Sequence, residues 1–306
     1  MIRIGVDIGG TKMEIAALHE SGAELLRRRT DMPRGAYADA IQAVADAVLD
    51  AERTLGARCS VGIGTPGAVS AKTGKLKNAY ASVLNGMPVK QDLERLLARE
   101  LRFANDANCF ALSEAADGAA TGARVVFGVI LGTGVGGGVV VDGRALEGAN
   151  AIAGEWGHNP LPWPAHDELP GPRCGCGKEG HIEAFLSGPG LARDHQLVAG
   201  ELLAPSHIIA RADSGDPGCE SSLARYEERL ARALASVINL LDPDVIVLGG
   251  GLSNAERLYR NVPRQWGRHV YSDSVATPLL KAKHGDASGV RGAARLWRTG
   301  SRSEPG

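Results

Sequence analysis

The sequence carries almost no net charge. Its 34 Lys and Arg stand against 35 Asp and Glu, a formal balance of −1, so nothing points to a polyanion partner such as DNA. No apolar run reaches the ~18 residues that a membrane span needs. The opening residues, MIRIGVDIGGTK, lack the unbroken apolar stretch of a signal peptide, because Asp7 and Lys12 interrupt them. Five cysteines are an odd number. Without a secretion signal they read as reduced thiols in a cytoplasmic chain rather than as a disulfide framework. There is no low-complexity tract and no run of like charges. The pattern G-x-x-x-x-G-K-[ST] is also missing, which excludes a P-loop.

What is present is glycine, 41 residues of it in a chain of 306, mostly in clusters. A chain of that length exceeds one ordinary hydrophobic core, so two lobes are expected. The pattern reads as mixed α/β. Residues 2–8 form a strand, GGT a turn, and MEIAALHE and ELLRRRT two more strands of a meander. Residues 36–55 have apolar residues at helical spacing, closed by Gly56. CSVGIGTPG is a buried strand running into a loop, 89–101 a helix, LRFANDAN a strand with a polar end, and CFALSEAADGAA a helix. RVVFGVIL, GTGVGG and GVVVDGR then repeat the opening design of strand, glycine turn and strand, a candidate internal duplication. A loop rich in Pro, Gly, His and Cys covers 149–181, a mostly helical region runs to 241, DVIVLGGG is a buried strand, and 289–298 is a last helix. The expected lobes are 1–118 and 119–288, with the segment 289–300 packing back on the first.

Three glycine turns end apolar strands: Gly9, Gly10, Thr11 and Lys12; Gly132, Thr133, Gly134, Gly136 and Gly137; and Gly249, Gly250 and Gly251. Such turns let backbone N–H groups approach an anion closely. One alone would be ordinary loop chemistry; three indicate a nucleotide site. GTGVGG also fits G-x-G-x-x-G, but that fingerprint needs a helix next, and GVVVDG alternates like a strand.

Cys174 and Cys176 stand too close for a disulfide and form half of a metal site. Zinc takes four Cys or His ligands in a structural site. His158, sixteen residues earlier, and His181, five later, complete the set, with glycines at 175, 177 and 180 for the sharp turns between. The competing reading is a pair of buried structural cysteines. Asp106 follows a strand and precedes a helix, where it serves either as an N-cap or as a proton acceptor. Asp7 either orders a turn or holds magnesium through water. Lys12 is either a phosphate contact or a solvated charge. Glu155 and Glu183 lie within three residues of candidate metal ligands, which sets them apart from ordinary surface glutamates.

VDIGGTK (6–12), GIGTPG (62–67), NDANC (105–109), LGTGVGGG (131–138), GEWGHNP (154–160), CGCGKEGHIE (174–183) and IVLGGG (246–251) occur in the order found in ROK-family sugar kinases. The resemblance covers essentially the whole chain. GEWGHNPLPW and KAKHGDASGVRGAA look most like the fructokinase branch, with N-acetylglucosamine kinases close by. It implies two actin-like (ribonuclease-H-like) lobes with ATP and sugar in the cleft, a cytoplasmic enzyme, and a homodimer. It also implies Asp106 as general base, Asp7 as the carboxylate beside MgATP, and Gly67, Asn78, Asn105, Asp106, Glu155, His158 and Glu183 around the sugar. In the family pattern a third cysteine stands where this chain has His181, so a Cys₂His₂ zinc is expected. The expected reaction is phosphoryl transfer from ATP to the C6 hydroxyl of a hexose, D-fructose first, with mannose or glucose as further acceptors. Rivals are an N-acetylglucosamine or N-acetylmannosamine kinase, a glucokinase, a sugar-responsive regulator of the same family and an actin-like structural ATPase. A regulator would carry a DNA-binding segment ahead of the first strand, which here begins at Ile2.

Overall fold

The computed structural model describes residues 1–33, 35–79 and 82–297. The first sheet begins as the expected meander: β1 (Ile2–Ile8), β2 (Lys12–His19) and β3 (Glu24–Asp31) pair antiparallel in sequence. After helix α1 (Tyr37–Leu55), β4 (Ser60–Thr65) lies parallel to β1. A small hairpin, β5 (Ala68–Val69) and β6 (Leu76–Lys77), and helix α2 (Val89–Leu97) lead to β7 (Arg102–Asn105), parallel to β4. The sheet order is β3-β2-β1-β4-β7. Alternation along β1 sends Ile4, Val6 and Ile8 into the core that α1 and α2 cover. Gly5 and Asp7 point to the other face.

Helix α3 (Asp106–Asp117) follows directly. The second sheet repeats the first. β8 (Val125–Leu131) and β9 (Val135–Val141) make an antiparallel hairpin, and β10 (Arg144–Ala145) continues it at the edge. Helices α4 (Ile182–Leu186), α5 (Gly188–Ala199), α6 (Pro205–Asp213) and α7 (Pro217–Leu241) come next. Then β11 (Val245–Gly249) joins parallel to β8. Short helices α8 (Arg257–Asn261) and α9 (Pro263–Trp266), β12 (Leu279–Lys281) and α10 (Ser288–Arg295) complete the chain. The order β10-β9-β8-β11-β12 mirrors that of the first sheet, so the repeated strand, turn and strand of the sequence reflects a repeated architecture. Of the expected last helix, residues 298–300 lie outside the described residues.

Glycines set how tightly the halves join. A Cβ on Gly62 would lie 1.9 Å from the Ala293 carbonyl oxygen, and one on Gly5 2.0 Å from that of Val290, so α10 lies directly on β1 and β4. A Cβ on Gly292 would sit 1.7 Å from the Cys109 carbonyl oxygen, and one on Gly138 2.3 Å from that of Ala107. The layers are therefore sheet, α10, α3, sheet, with α4–α7 over the outer face of the second sheet. This is the two-lobed actin-like, ribonuclease-H-like arrangement. Past α10, the Trp297 Nε1 donates to the Val61 carbonyl at 2.6 Å and the Arg102 guanidinium stacks over its ring at 4.3 Å. At the far end of α3, the buried Glu114 carboxylate accepts from Ala119 N, Lys283 N, His284 N and Ser288 Oγ at 2.8–3.2 Å. Among the described residues no helix is long and apolar enough to cross a membrane.

Candidate active site

The strand β7 delivers its last residue, Asn105, in an extended conformation, and the chain turns at once into α3. The Asn105 side chain accepts the Ala107 N–H at 2.8 Å, which makes Asn105 the N-cap. The helix thus starts at Asp106, earlier than the apolar pattern from Cys109 onward suggests. Asp106 is the first helical residue, and its Oδ1 shares the same N–H at 2.7 Å. Burial pushes its carboxyl up to about 6, and Glu155 adds to this, while the Ala107 amide and the Asn105 side chain oppose it. Asp7, the residue before the last of β1, lies within electrostatic range of Asp106. Burial raises it to about 7, helped by Asp106 and Glu14 and opposed by Arg29. It nests against the start of α10, where a Cβ on Gly289 would lie 2.4 Å from its Oδ2. Two buried carboxylates with raised pKa values, one of them raised in part by the other, mark a candidate functional site.

The glycine turns divide in role. Gly9–Lys12 forms the tip of the β1–β2 hairpin, closed by Gly9 N to Lys12 O at 2.8 Å, and all four residues are exposed. At the β8–β9 tip, the Gly132 N–H donates to Gly134 O at 3.0 Å, and Gly132 O accepts from Gly188 N at 2.7 Å. Gly132 and Thr133 open onto a cavity of about 710 Å³, which Gly251 also lines. Gly136 and Gly137 lie inside β9 instead. A Cβ on them would meet Ala107 Cβ at 3.2 Å and the Gly154 carbonyl at 2.6 Å, so their smallness serves packing. Gly249 packs on the Phe110 ring, and Gly250, in the left-handed region at φ 80°, packs on the backbone of Leu131. Gly134 has its own neighbour: a Cβ there would lie 2.7 Å from Glu183 Oε2.

The rest of that cavity comes from residues the sequence did not single out: Gly188, Pro189 and Ala192 at the start of α5, Pro205, Ser206 and Ile209 of α6, and Leu252 and Asn254 after β11. Their apolar faces and few polar groups suit a flat heterocycle. No motif marked them, because pocket walls built from two helix starts have no fixed spacing.

At the other end of the cleft, Glu155 and His158 flank a short 3₁₀ turn, Trp156–His158. The buried Trp156 ring anchors this turn under β9, with Nε1 donating to Gly136 O at 3.1 Å and its edge against Phe127 at 5.6 Å. Burial raises the Glu155 carboxyl, with Glu183 adding and His158 and Lys77 opposing. Glu155 therefore lies in electrostatic range of both Asp106 and Glu183. Glu183, in the first turn of α4, accepts the Val135 N–H at 3.1 Å through Oε2. Gly67 (φ 75°) and Asn78 (φ 63°) face one another at the base of the β5–β6 hairpin, where a Cβ on Gly67 would lie 2.1 Å from Lys77 O.

The four expected metal ligands do converge. One donor atom each from His158, Cys174, Cys176 and His181 lie within 4.8 Å of one another. His158 Nδ1 is 3.6 Å from Cys174 Sγ, and His181 Nδ1 is 3.3 Å from Cys176 Sγ. A tetrahedral zinc with the usual N and S bond lengths sets neighbouring donors about 3.6 Å apart. Burial lowers the His181 pKa, which favours the neutral imidazole a metal requires. The donor set fits zinc in type, number and spacing. Backbone bridges tie the same two loops: Leu161 N to Gly180 O at 2.8 Å and Ile182 N to Asn159 O at 2.9 Å.

A family model described as ROK family matches residues 3–300. An N-acetyl-D-glucosamine kinase of Escherichia coli O6:H1 is 41% identical over 300 residues, covering 96% of this chain and 99% of the relative. The crystal structure of a ROK hexokinase from Thermus thermophilus superposes with a TM-score of 0.86 at 32% identity, covering 97% of both chains. A ROK family glucokinase from Streptomyces griseus, solved with glucose and AMPPNP, superposes with a TM-score of 0.77 at 28% identity, covering 97% of this chain and 99% of the other.

Proposed function

The chain belongs to the ROK family, and we propose that it is an ATP-dependent sugar kinase that phosphorylates the C6 hydroxyl of N-acetyl-D-glucosamine. The observation that carries the reading is Asp106, a carboxylate raised to about 6. It lies in electrostatic range of Glu155, which is linked in turn to Glu183, and the helix it opens packs on the β8–β9 hairpin, whose tip lines a heterocycle-sized cavity. The amino-sugar acceptor follows the relatives at 40–41% identity, which are N-acetyl-D-glucosamine kinases. The GEWGHNPLPW motif favours D-fructose, which stands as the second reading. The relatives outweigh it because they match nearly the whole chain.

Phosphoryl transfer to a hydroxyl needs positioning, charge neutralisation and a proton acceptor. In this reading Asp106 takes the proton from the C6 hydroxyl, being largely ionised above pH 6 yet basic enough to accept it. Asn105, Asn78, Gly67, Glu155, His158 and Glu183 orient the sugar, the carboxylates pairing with adjacent hydroxyls. The Gly9–Lys12 and Gly132–Thr133 turns and Gly251 line the phosphates, with the N–H groups of Gly10, Thr11 and Thr133 rather than those of Gly9 and Gly132, which close their own turns, and the walls of α5 and α6 hold the base. Magnesium would come with ATP, and Asp7 is the residue that would hold it and so help neutralise charge on the phosphates. Zinc at His158, Cys174, Cys176 and His181 is structural, since four protein ligands leave no open position. We take residues 1–118 and 119–288 as the lobes that close over the substrates, and the working unit as a cytoplasmic homodimer.

The test is a coupled ADP-release assay with N-acetylglucosamine, N-acetylmannosamine, glucose, mannose and fructose. The highest kcat/KM should fall on N-acetylglucosamine. Preference for fructose would restore the second reading, and phosphorylation of none would remove the kinase reading.

A further inference from the structure

Among the described residues, a side-chain hydrogen bond joins the β5–β6 hairpin of the first half to the loop after β10 of the second. Lys77 ends β6, on the hairpin that follows β4 of the first sheet, and its Nζ donates to the Asn150 carbonyl at 2.6 Å. Asn150 lies in the loop after β10 of the second sheet. Both ends of the contact are stiff. The hairpin is paired Ala68 to Lys77 and Val69 to Leu76, and Gly67 packs directly on the Lys77 carbonyl. On the other side, Asn150 is flanked by left-handed residues at Gly148 (φ 75°) and Ala151 (φ 50°). Successive backbone bonds then run into the site: Ala151 N to Gly148 O, Ala153 N to Glu147 O and Glu155 N to Ile152 O, at 3.1–3.2 Å. These bonds fold residues 147–155 into one loop that carries both Asn150 and Glu155.

The halves are also pinned along the α3–α10 seam, through the Glu114 cluster, the Asp117 contacts to His284, Arg291 and Arg295, and the close approach of Gly292 to Cys109. That cluster lies about 12 Å along the helix from Asp106, at 1.5 Å per residue. A packed seam on one side and a breakable side-chain contact on the other is the geometry of a hinge with a latch.

We propose that Lys77 is a positioning residue that latches the two lobes over the sugar end of the cleft through the Asn150 carbonyl, and so holds Glu155 against the sugar. The proposal rests on the sugar-kinase reading for its effect on catalysis, but not for the contact itself. A lysine suits the task. Its long stem spans the gap, and a bond to a neutral carbonyl breaks readily when product leaves.

Two readings of the full-length protein test it together. The first is hydrogen–deuterium exchange of the ligand-free protein, comparing wild type with Lys77→Met and Lys77→Arg. Lys77→Met keeps the apolar stem but removes the donor; exchange across 146–155 should quicken, with α1 and α7 unchanged, and Lys77→Arg should restore it. The second is steady-state kinetics. Lys77→Met should raise the sugar KM about three- to tenfold, with kcat and the ATP KM within about twofold, and Lys77→Arg should recover most of the loss. Wild-type exchange in 146–155 of Lys77→Met overturns the latch, and a raised sugar KM with unchanged exchange assigns Lys77 to the sugar directly and overturns it too. Absence of turnover with every sugar would defeat the functional reading alone, while the exchange comparison still decides the latch.

Discussion

Cys174 Sγ donates to Glu183 Oε1 at 3.3 Å, so the four-donor cluster touches a carboxylate whose other oxygen accepts from Val135 of the β8–β9 hairpin. A thiolate bound to metal has no proton to give. Metal loading would thus release Oε1 of Glu183 for a sugar hydroxyl, linking a structural site to substrate binding without placing the metal in the reaction.

The first prediction follows. Purified protein should contain about one zinc per chain by elemental analysis. Chelation, or Cys174→Ser, should raise the sugar KM about tenfold or more and leave the ATP KM within about twofold. The fold should survive, because the 159–161 and 180–182 segments are also joined by backbone hydrogen bonds. Zinc-free protein with a normal sugar KM would contradict this.

Acid should switch the enzyme off. Asp106 and Asp7, raised to about 6 and about 7, must both be ionised in their proposed roles. The kcat/KM should therefore fall on the acid side through pH 7 to 6, a pH–rate profile being the check.

The same shift has a stability consequence of opposite sign to a salt bridge. The folded Asp7 pKa of about 7 lies above the usual unfolded value of about 3.9. The folded state then binds more protons between those values, and stability falls as pH rises through that window. Asp7→Asn should raise the stability of ligand-free protein at pH 8 by about 1–3 kcal/mol, with no gain near pH 3.5. Denaturant titrations at the two pH values measure it, and turnover should be lost.

The cavity behind the β8–β9 tip can be filled without touching the sugar end. Ala192→Trp should raise the ATP KM about tenfold or more and leave sugar affinity unchanged by calorimetry. An unaltered ATP KM would remove this cavity as the base site.

Glu114 should be a stability residue. Its amide counterpart has one acceptor oxygen in place of two and turns N–H groups toward N–H donors. Glu114→Gln should lower stability by about 2–4 kcal/mol, seen as a clear drop in Tm.

The strands and the metal cluster were legible in the sequence because they depend on local pattern. Alternation along Ile2–Ile8 and Val125–Leu131 and the spacing of four soft ligands each need only their own segment. Roles that depend on distant packing were not legible. Gly136, Gly137, Gly249 and Gly250 look like phosphate turns, yet a side-chain Cβ, a backbone or a ring lies close against each of them. The α3 start shows the same limit at close range. The NDAN motif marks the candidate site, but which of its two polar residues caps the helix follows only from geometry, with Asn105 as the N-cap and Asp106, the first helical residue, sharing the same Ala107 N–H. Lys77 and the α5–α6 cavity walls have no motif because their partners lie far along the chain. The choice of sugar was weakest of all, since short motifs favoured fructose where whole-chain similarity favours an acetylated amino sugar.

The central claim is tested most directly by Asp106→Asn, a substitution that keeps shape and removes the proton acceptor. Wild type and variant should bind N-acetylglucosamine with affinities within about threefold by calorimetry. The variant's kcat for ADP release should be lower by about three orders of magnitude or more. A variant that binds the sugar and turns over at near the wild-type rate would contradict the account.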